Sequence, residues 1–119
     1  MLKVYHYAKC STCRDALRWI QARGMKFTEH AIRETPPSVA ELTAMLTAHG
    51  SNLRGIFNTS GMDYRALGLA EKLPAMSTED AFALLASNGM LVKRPFVLDA
   101  KAGVFLTGFR EAEWEQALG

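Results

Sequence analysis

The apolar positions at the start of the chain change their period twice. Leu2 to Tyr7 reads as a strand, after which Cys13, Ala16, Leu17 and Ile20 recur at i, i+3, i+4 and i+7, with Arg14, Asp15, Arg18 and Gln21 facing away. That spacing predicts an amphipathic helix. Gly24, just past the last periodic residue and preceded by Arg23, supplies a C-terminal stop. Lys26 to His30 then alternates weakly as a second strand. A strand, helix and strand in this order return the second strand parallel to the first, because right-handed crossovers pack back on the same sheet.

Pro36-Pro37 punctuates the chain, and Ser38 with Glu41 forms a capping box ahead of Leu42, Met45, Leu46 and His49. Gly50 closes that helix. From Ser51 to Met76 glycines, asparagines and Pro74 interrupt short apolar groups such as Tyr64, Leu67 and Leu69, predicting short helices and loops. Ser77-Thr78-Glu79-Asp80 opens another helix by placing carboxylates in its positively polarised first turn, with Phe82, Leu85 and Ala86 on one side and Gly89 beyond its end. Phe96-Val97-Leu98 and Val104-Phe105-Leu106 are β-prone runs around the loop Asp99 to Gly103, a hairpin. Arg110 to Leu118 closes the chain as a helix with Trp114, Ala117 and Leu118 as its buried stripe. The expected class is α/β: a small mixed sheet covered by helices.

Composition narrows the function classes. The 119 residues suit one domain, and 49% hydrophobic with 22% charged is ordinary for a globular chain. No apolar run approaches the roughly 18 residues of a membrane span. Residues Met1 to His6 lack the apolar region and cleavage site of a secretory signal, so they read as structure, and a cytoplasmic, monomeric protein is expected. Fourteen Lys and Arg against twelve Asp and Glu give a net charge of +2 without a dense basic patch, which argues against direct nucleic-acid binding. The two cysteines stand three apart, as Cys10-Ser11-Thr12-Cys13. In a reducing compartment that spacing suggests redox chemistry or a metal rather than a permanent staple.

Cys10 falls at the junction of strand and helix, where unpaired N–H groups and the positive end of the helix dipole stabilise a thiolate. Cys13 lies one turn inside, on the inward stripe. The expected roles are therefore nucleophile for Cys10 and resolving thiol for Cys13. Two alternatives stand beside this: a pair of unreactive thiols, or a zinc site built from His6, Cys10 and Cys13 with His30 or His49. No second C-x-x-C or spaced histidine pair supports zinc, so no metal and no bound cofactor are expected. Lys93-Arg94-Pro95 reads either as a strand-start proline or as a cis-proline set against the Cys10 loop, with Arg94 aimed at an anion or thiolate. His6 reads as a packed or hydrogen-bonded strand residue. Arg14 and Arg18 read as a solvated face, Arg14 near enough to add positive potential at Cys10, and Trp19 as core or a partner contact.

Together these residues resemble the arsenate reductase (ArsC) family, the glutaredoxin-related branch of the thioredoxin fold that includes the Spx/MgsR regulators. The resemblance rests on Val4-Tyr5-His6-Tyr7-Ala8-Lys9-Cys10-Ser11-Thr12-Cys13-Arg14, on Phe57-Asn58-Thr59-Ser60-Gly61 followed by Tyr64 to Leu69, and on Lys93-Arg94-Pro95-Phe96-Val97. It implies a single thioredoxin/glutaredoxin-like domain over residues 1–119, a four-stranded mixed sheet from βαβ and ββα halves, a helical insertion at about 38–88, and a cis Pro95. In the family's arsenate reductases one cysteine attacks arsenic, three arginines hold the oxyanion, and glutathione with glutaredoxin resolves the adduct. Carried over by position, the cysteine is Cys10 and one arginine is Arg94, while Asn58 and Gly108 stand at the other two positions. The implied catalytic set is Cys10, Cys13 and Arg94, with Lys9, Ser11, Thr12, Arg14, Asn58 and Pro95 around the substrate. One guanidinium is a weak cradle for a tetrahedral oxyanion, so thiol–disulfide exchange, with glutathione as co-substrate and a disulfide or oxyanion as substrate, is the expected activity. The alternative is an Spx/MgsR-type redox-sensing regulator that binds the RNA polymerase α subunit. Spx-type chains carry basic side chains where Thr59-Ser60-Gly61 stand here, and the insertion offers Arg54, Arg65 and Lys72.

Overall fold

Strands β1 (Leu2–His6), β2 (Phe27–Ala31), β3 (Phe96–Asp99) and β4 (Val104–Thr107) form one mixed sheet in the order β2-β1-β3-β4. Helix α1 (Ser11–Ala22) carries the chain from β1 to its parallel neighbour β2, and β3 returns antiparallel to β1, with Val4 opposite Val97. These are the βαβ and ββα halves that the resemblance implies. The computed structural model describes residues 1–119, which divide into one unit of Met1–Ala31 with Arg94–Gly119 and a second of Ile32–Lys93.

The first unit is organised around an apolar layer between the sheet and two helices, α1 and the C-terminal Glu111–Leu118. Leu2, Val4, Val97, Val104 and Leu106 from the strands pack with Ala16, Trp19, Ile20 and Trp114. Three rings meet edge to face at its centre: Trp19 and Trp114 at 5.6 Å, Phe109 and Trp114 at 4.9 Å, Trp19 and Phe109 at 6.3 Å. Such pairs contribute beyond their buried area. The Trp114 indole N–H donates to the Gly108 carbonyl at 3.2 Å, which satisfies its one polar atom. The Arg23 guanidinium lies 3.7 Å from the Trp19 ring centre and pairs with Glu115.

Three expectations about this unit are corrected. Leu17, expected on the buried stripe, is only half-buried, while Trp19 takes the core place, one of its two readings, by meeting Trp114 and Phe109, partners about ninety residues away in sequence. Ala117 is exposed: the last helix is only eight residues long and docks through Trp114, with Leu118 half-buried. Asp99 pairs with Val104, so the hairpin turn is the four residues 100–103, closed by Gly103 at φ 70°.

In the second unit α2 (Val39–Ala48), α3 (Met62–Ala66), α4 (Leu69–Lys72) and α5 (Thr78–Ser87) are joined by loops and single 3-10 turns. The capping box at α2 is complete: the Glu41 N–H donates to Ser38 Oγ at 3.1 Å and the Ser38 N–H to Glu41 Oε1 at 2.9 Å. Ser77 caps α5 by accepting from the Asp80 N–H. Ala81, Phe82 and Leu85 form its buried face, and Ala86 points to solvent, one helical step off the expected stripe. Gly89 does not terminate α5 through a left-handed turn. It lies so close to the Ile32 carbonyl that a Cβ there would fall 1.7 Å from the oxygen. Hydrogen bonds from Asn58 N–H to Leu91 O (2.7 Å) and from Lys93 N–H to Ile56 O (2.9 Å) tie the middle of this unit to its end.

Candidate active site

After β1 the backbone folds tightly, the Cys10 N–H donating to the Tyr7 carbonyl at 3.0 Å, and Cys10 becomes the N-cap of α1 with extended backbone angles (φ −92°, ψ 116°). Its carbonyl accepts the Arg14 N–H and its Sγ accepts the Cys13 N–H at 3.3 Å, taking the place that a Ser or Asp oxygen usually fills at a helix start. A sulfur in this position is aligned with the helix dipole. Both thiols are free, Cys10 partly exposed and Cys13 with no accessible surface.

The two sulfurs sit in opposing environments. Burial opposes ionisation of Cys10, but hydrogen bonds from the Cys13 thiol and the Cys13 backbone, with the charge and hydrogen bond of Arg94, outweigh it and hold the Cys10 thiol below its ordinary value. Burial pushes Cys13 up to about 12, helped by the neighbouring Cys10 and only partly offset by the Tyr7 backbone and by Arg94. Arg94 precedes the buried Pro95 through a cis peptide bond, and its guanidinium lies 5.4 Å from the centre of the Tyr7 ring. The arrangement is a partly exposed sulfur biased toward the thiolate, a second sulfur sealed behind it and held strongly to its proton, and a cation alongside. Such a set supports attack on a sulfur or another electrophilic centre, followed by internal resolution.

Lys9, Ser11, Thr12 and Arg14 surround Cys10 in sequence, and all four are exposed. The charge that acts on the sulfur is that of Arg94; Arg14 faces solvent on α1. Asn58 belongs to the Ile32–Lys93 unit, where its N–H and carbonyl are used by Leu91 and Gly61. Gly108 has φ 69°, a conformation that disfavours any side chain at the second substituted arginine position. His6 Nε2 pairs with Glu29 at 3.1 Å, and His30 bonds Thr28 and packs on Tyr5. No group of three or more His, Cys, Asp or Glu side chains converges to hold a metal ion. The residue that sequence reasoning missed is Tyr7. Its carbonyl braces Cys10, its backbone bonds the Cys13 thiol and its ring lies against Arg94. An aromatic three places before a cysteine carries no signal of its own when its partner is eighty-seven residues downstream.

Comparison with known proteins agrees with this geometry. The ArsC family matches residues 5–117. YusI, an uncharacterised protein of Bacillus subtilis, is 45% identical over 97% of this chain and 96% of its own. An arsenate reductase of Rhizobium meliloti is 34% identical over 80% of this chain and 66% of its own, and the global transcriptional regulator Spx of Enterococcus faecalis is 29% identical over 95% and 83%. Among solved structures, an ArsC-family related protein from Bacteroides fragilis superposes with a TM-score of 0.89 at 40% identity, covering 98% of this chain and 96% of that one. With the family match spanning nearly every residue, and the capping cysteine, cis-proline and four-stranded mixed sheet in place, the chain belongs to the ArsC family.

Proposed function

We propose that the chain is a thiol–disulfide oxidoreductase, with Cys10 as nucleophile, Cys13 as resolving thiol and glutathione as reductant. The observation that carries this reading is the Cys10 sulfur capping α1 beside Arg94 while Cys13 is wholly buried. In the first step the Cys10 thiolate attacks one sulfur of a disulfide, forming a mixed disulfide and expelling a thiolate that takes a proton from water. That step removes the negative charge beside Cys13, which then has less reason to stay protonated and keeps the help of Arg94. Cys13 releases its proton, attacks the Cys10 sulfur and expels the second thiol. The protein's two thiols have then given two electrons to the substrate and closed a Cys10–Cys13 disulfide. Two glutathione thiols restore it, becoming one glutathione disulfide. Lys9, Ser11, Thr12, Arg14 and Pro95 border the entry. The protein acts as a monomer in the cytoplasm, as one thioredoxin-like domain with a helical insertion at about 38–88. Arsenate is a poor substrate on this reading, because Asn58 and the left-handed Gly108 leave Arg94 as the one guanidinium matching the oxyanion cradle.

The test is the pH dependence of Cys10 alkylation. A midpoint below the ordinary free-thiol value of about 8.5 is expected, whereas an ordinary midpoint would overturn the reading. Cys10→Ser abolishes exchange, and Cys13→Ser accumulates a mixed disulfide detectable by mass. A second reading, favoured by the Spx relative, is a redox-sensing regulator in which the same couple controls docking on the RNA polymerase α subunit, with exposed Arg54, Arg65 and Lys72 on the insertion. Redox-dependent co-purification with that subunit, without turnover on glutathione, would decide for it.

A further inference from the structure

We propose that Tyr7 is a positioning residue for this site: its ring fixes the Arg94 guanidinium against the Cys10 sulfur, so that the nucleophile's charge depends on an aromatic side chain acting through that cation. The inference rests on the exchange chemistry proposed above and adds the element that sets the strength of its nucleophile.

Arg94 is a long side chain with several rotamers, and holding its cation at one sulfur costs conformational entropy. The face of Tyr7 limits that freedom by supplying the surface on which the guanidinium rests, 5.4 Å from the ring centre. A planar guanidinium is well suited to such a face, being weakly hydrated and attracted by the ring's quadrupole. Tyr7 is itself held in register with the cysteines. Its carbonyl accepts the Cys10 N–H at 3.0 Å and its backbone bonds the Cys13 thiol, so the point from which its ring leaves the backbone is tied to both sulfurs. The ring is only half-buried, so it is not a core side chain whose packing would explain its place. The main-chain bonds persist whatever side chain stands at 7. What the aromatic adds is the platform under Arg94.

The experiment is a double-mutant cycle read by the pH profile of Cys10 alkylation in the reduced full-length chain, with folding checked by circular dichroism. Tyr7→Leu should raise the Cys10 midpoint by about half a unit to one unit, the range expected for a lost cation–π contact, and Tyr7→Phe, which keeps the face, should leave it in place. Tyr7→Met offers a flexible side chain of similar reach without a π-face and should behave like Tyr7→Leu, which keeps the test usable should the leucine variant fold poorly. In an Arg94→Met background the same Tyr7→Leu change should produce no further shift, because the cation it positions is gone. An unmoved midpoint in Tyr7→Leu or Tyr7→Met would overturn the proposal. So would an equal shift in the Arg94→Met background, or a Tyr7→Phe variant as damaged as Tyr7→Leu. These failures differ from failure of the underlying reading, which would show as an ordinary thiol midpoint in the unmodified protein.

Discussion

Cys10 and Cys13 are one helical turn apart, yet their surroundings drive them in opposite directions, Cys10 below the ordinary thiol value and Cys13 up to about 12. This has a consequence for stability as well as reactivity. Between the lowered folded value and about pH 9 the unfolded chain keeps the Cys10 proton that the folded chain has released, so the Cys10 contribution is full above about pH 9 and is lost as pH falls through the folded value. Cys13 does the reverse. Its contribution is full below pH 9 and is lost as pH rises through about 12, because the folded thiol retains a proton that the unfolded one has given up. Urea titrations of the reduced protein at pH 7, 9 and 10.5 should therefore show a component that rises and then falls. Cys10→Ser should lose the rise relative to the unmodified chain, and Cys13→Ala should soften the fall. The C-x-x-C spacing and the strand-to-helix junction made the nucleophile legible in sequence, since a cap position is a local property. The lowering partner Arg94 was legible as one of two readings of Lys93-Arg94-Pro95, and Tyr7 not at all, because their meeting depends on β1 and β3 lying side by side.

Among the elements, those with chemical punctuation in their own residues formed where the sequence places them. Ser38 and Glu41 satisfy two donors at the start of α2 reciprocally, and Ser77 does the same for one donor of α5. Ser38→Ala should lower stability by about 1 kcal/mol, the usual cost of a lost N-cap, read as a fall in the urea midpoint with the slope unchanged. Exposure of the capping groups favours the low side of that figure. Where elements departed from expectation, a distant partner was responsible. The hairpin strands extend to Asp99 and Val104 because backbone pairing continues one residue past the apolar run. On α5 the buried set is shifted to Ala81, Phe82 and Leu85, since the unit it packs in, and not the best-fitting periodicity, selects the inward face.

At the scale of the whole molecule, the first unit is assembled from chain segments separated by more than sixty residues, joined through the β1–β3 pairing and the apolar layer around Trp114. Trp114 is fully buried, contacts Trp19 and Phe109, and closes a hydrogen bond to Gly108. Trp114→Ala should cost about 3–5 kcal/mol, as for other large aromatic truncations in cores. That is several times the effect of Ser38→Ala, and the comparison of the two urea midpoints checks it. Gly89→Ala tests the second unit in the opposite sense. The added Cβ meets the Ile32 backbone carbonyl, which cannot rotate away as a side chain can, so a loss of about 3 kcal/mol is expected for this overpacked contact and should appear as a drop in melting temperature.

What the sequence by itself determined is whatever a few neighbouring residues can enforce: the helix caps, the parallel β1–α1–β2 unit, the hairpin, and the placing of a cysteine over the first turn of α1. Capping, periodicity and turn chemistry act within a handful of residues and leave their marks in order along the chain. Tertiary structure alone decided which side chains share a space. It placed Trp19 in the core through Trp114, seated Arg94 on Tyr7 beside Cys10, and buried Cys13 deeply enough to keep it protonated. Burial and fixed charge are properties of position in three dimensions, and they separate the two thiols of a motif whose residues look alike in the linear chain.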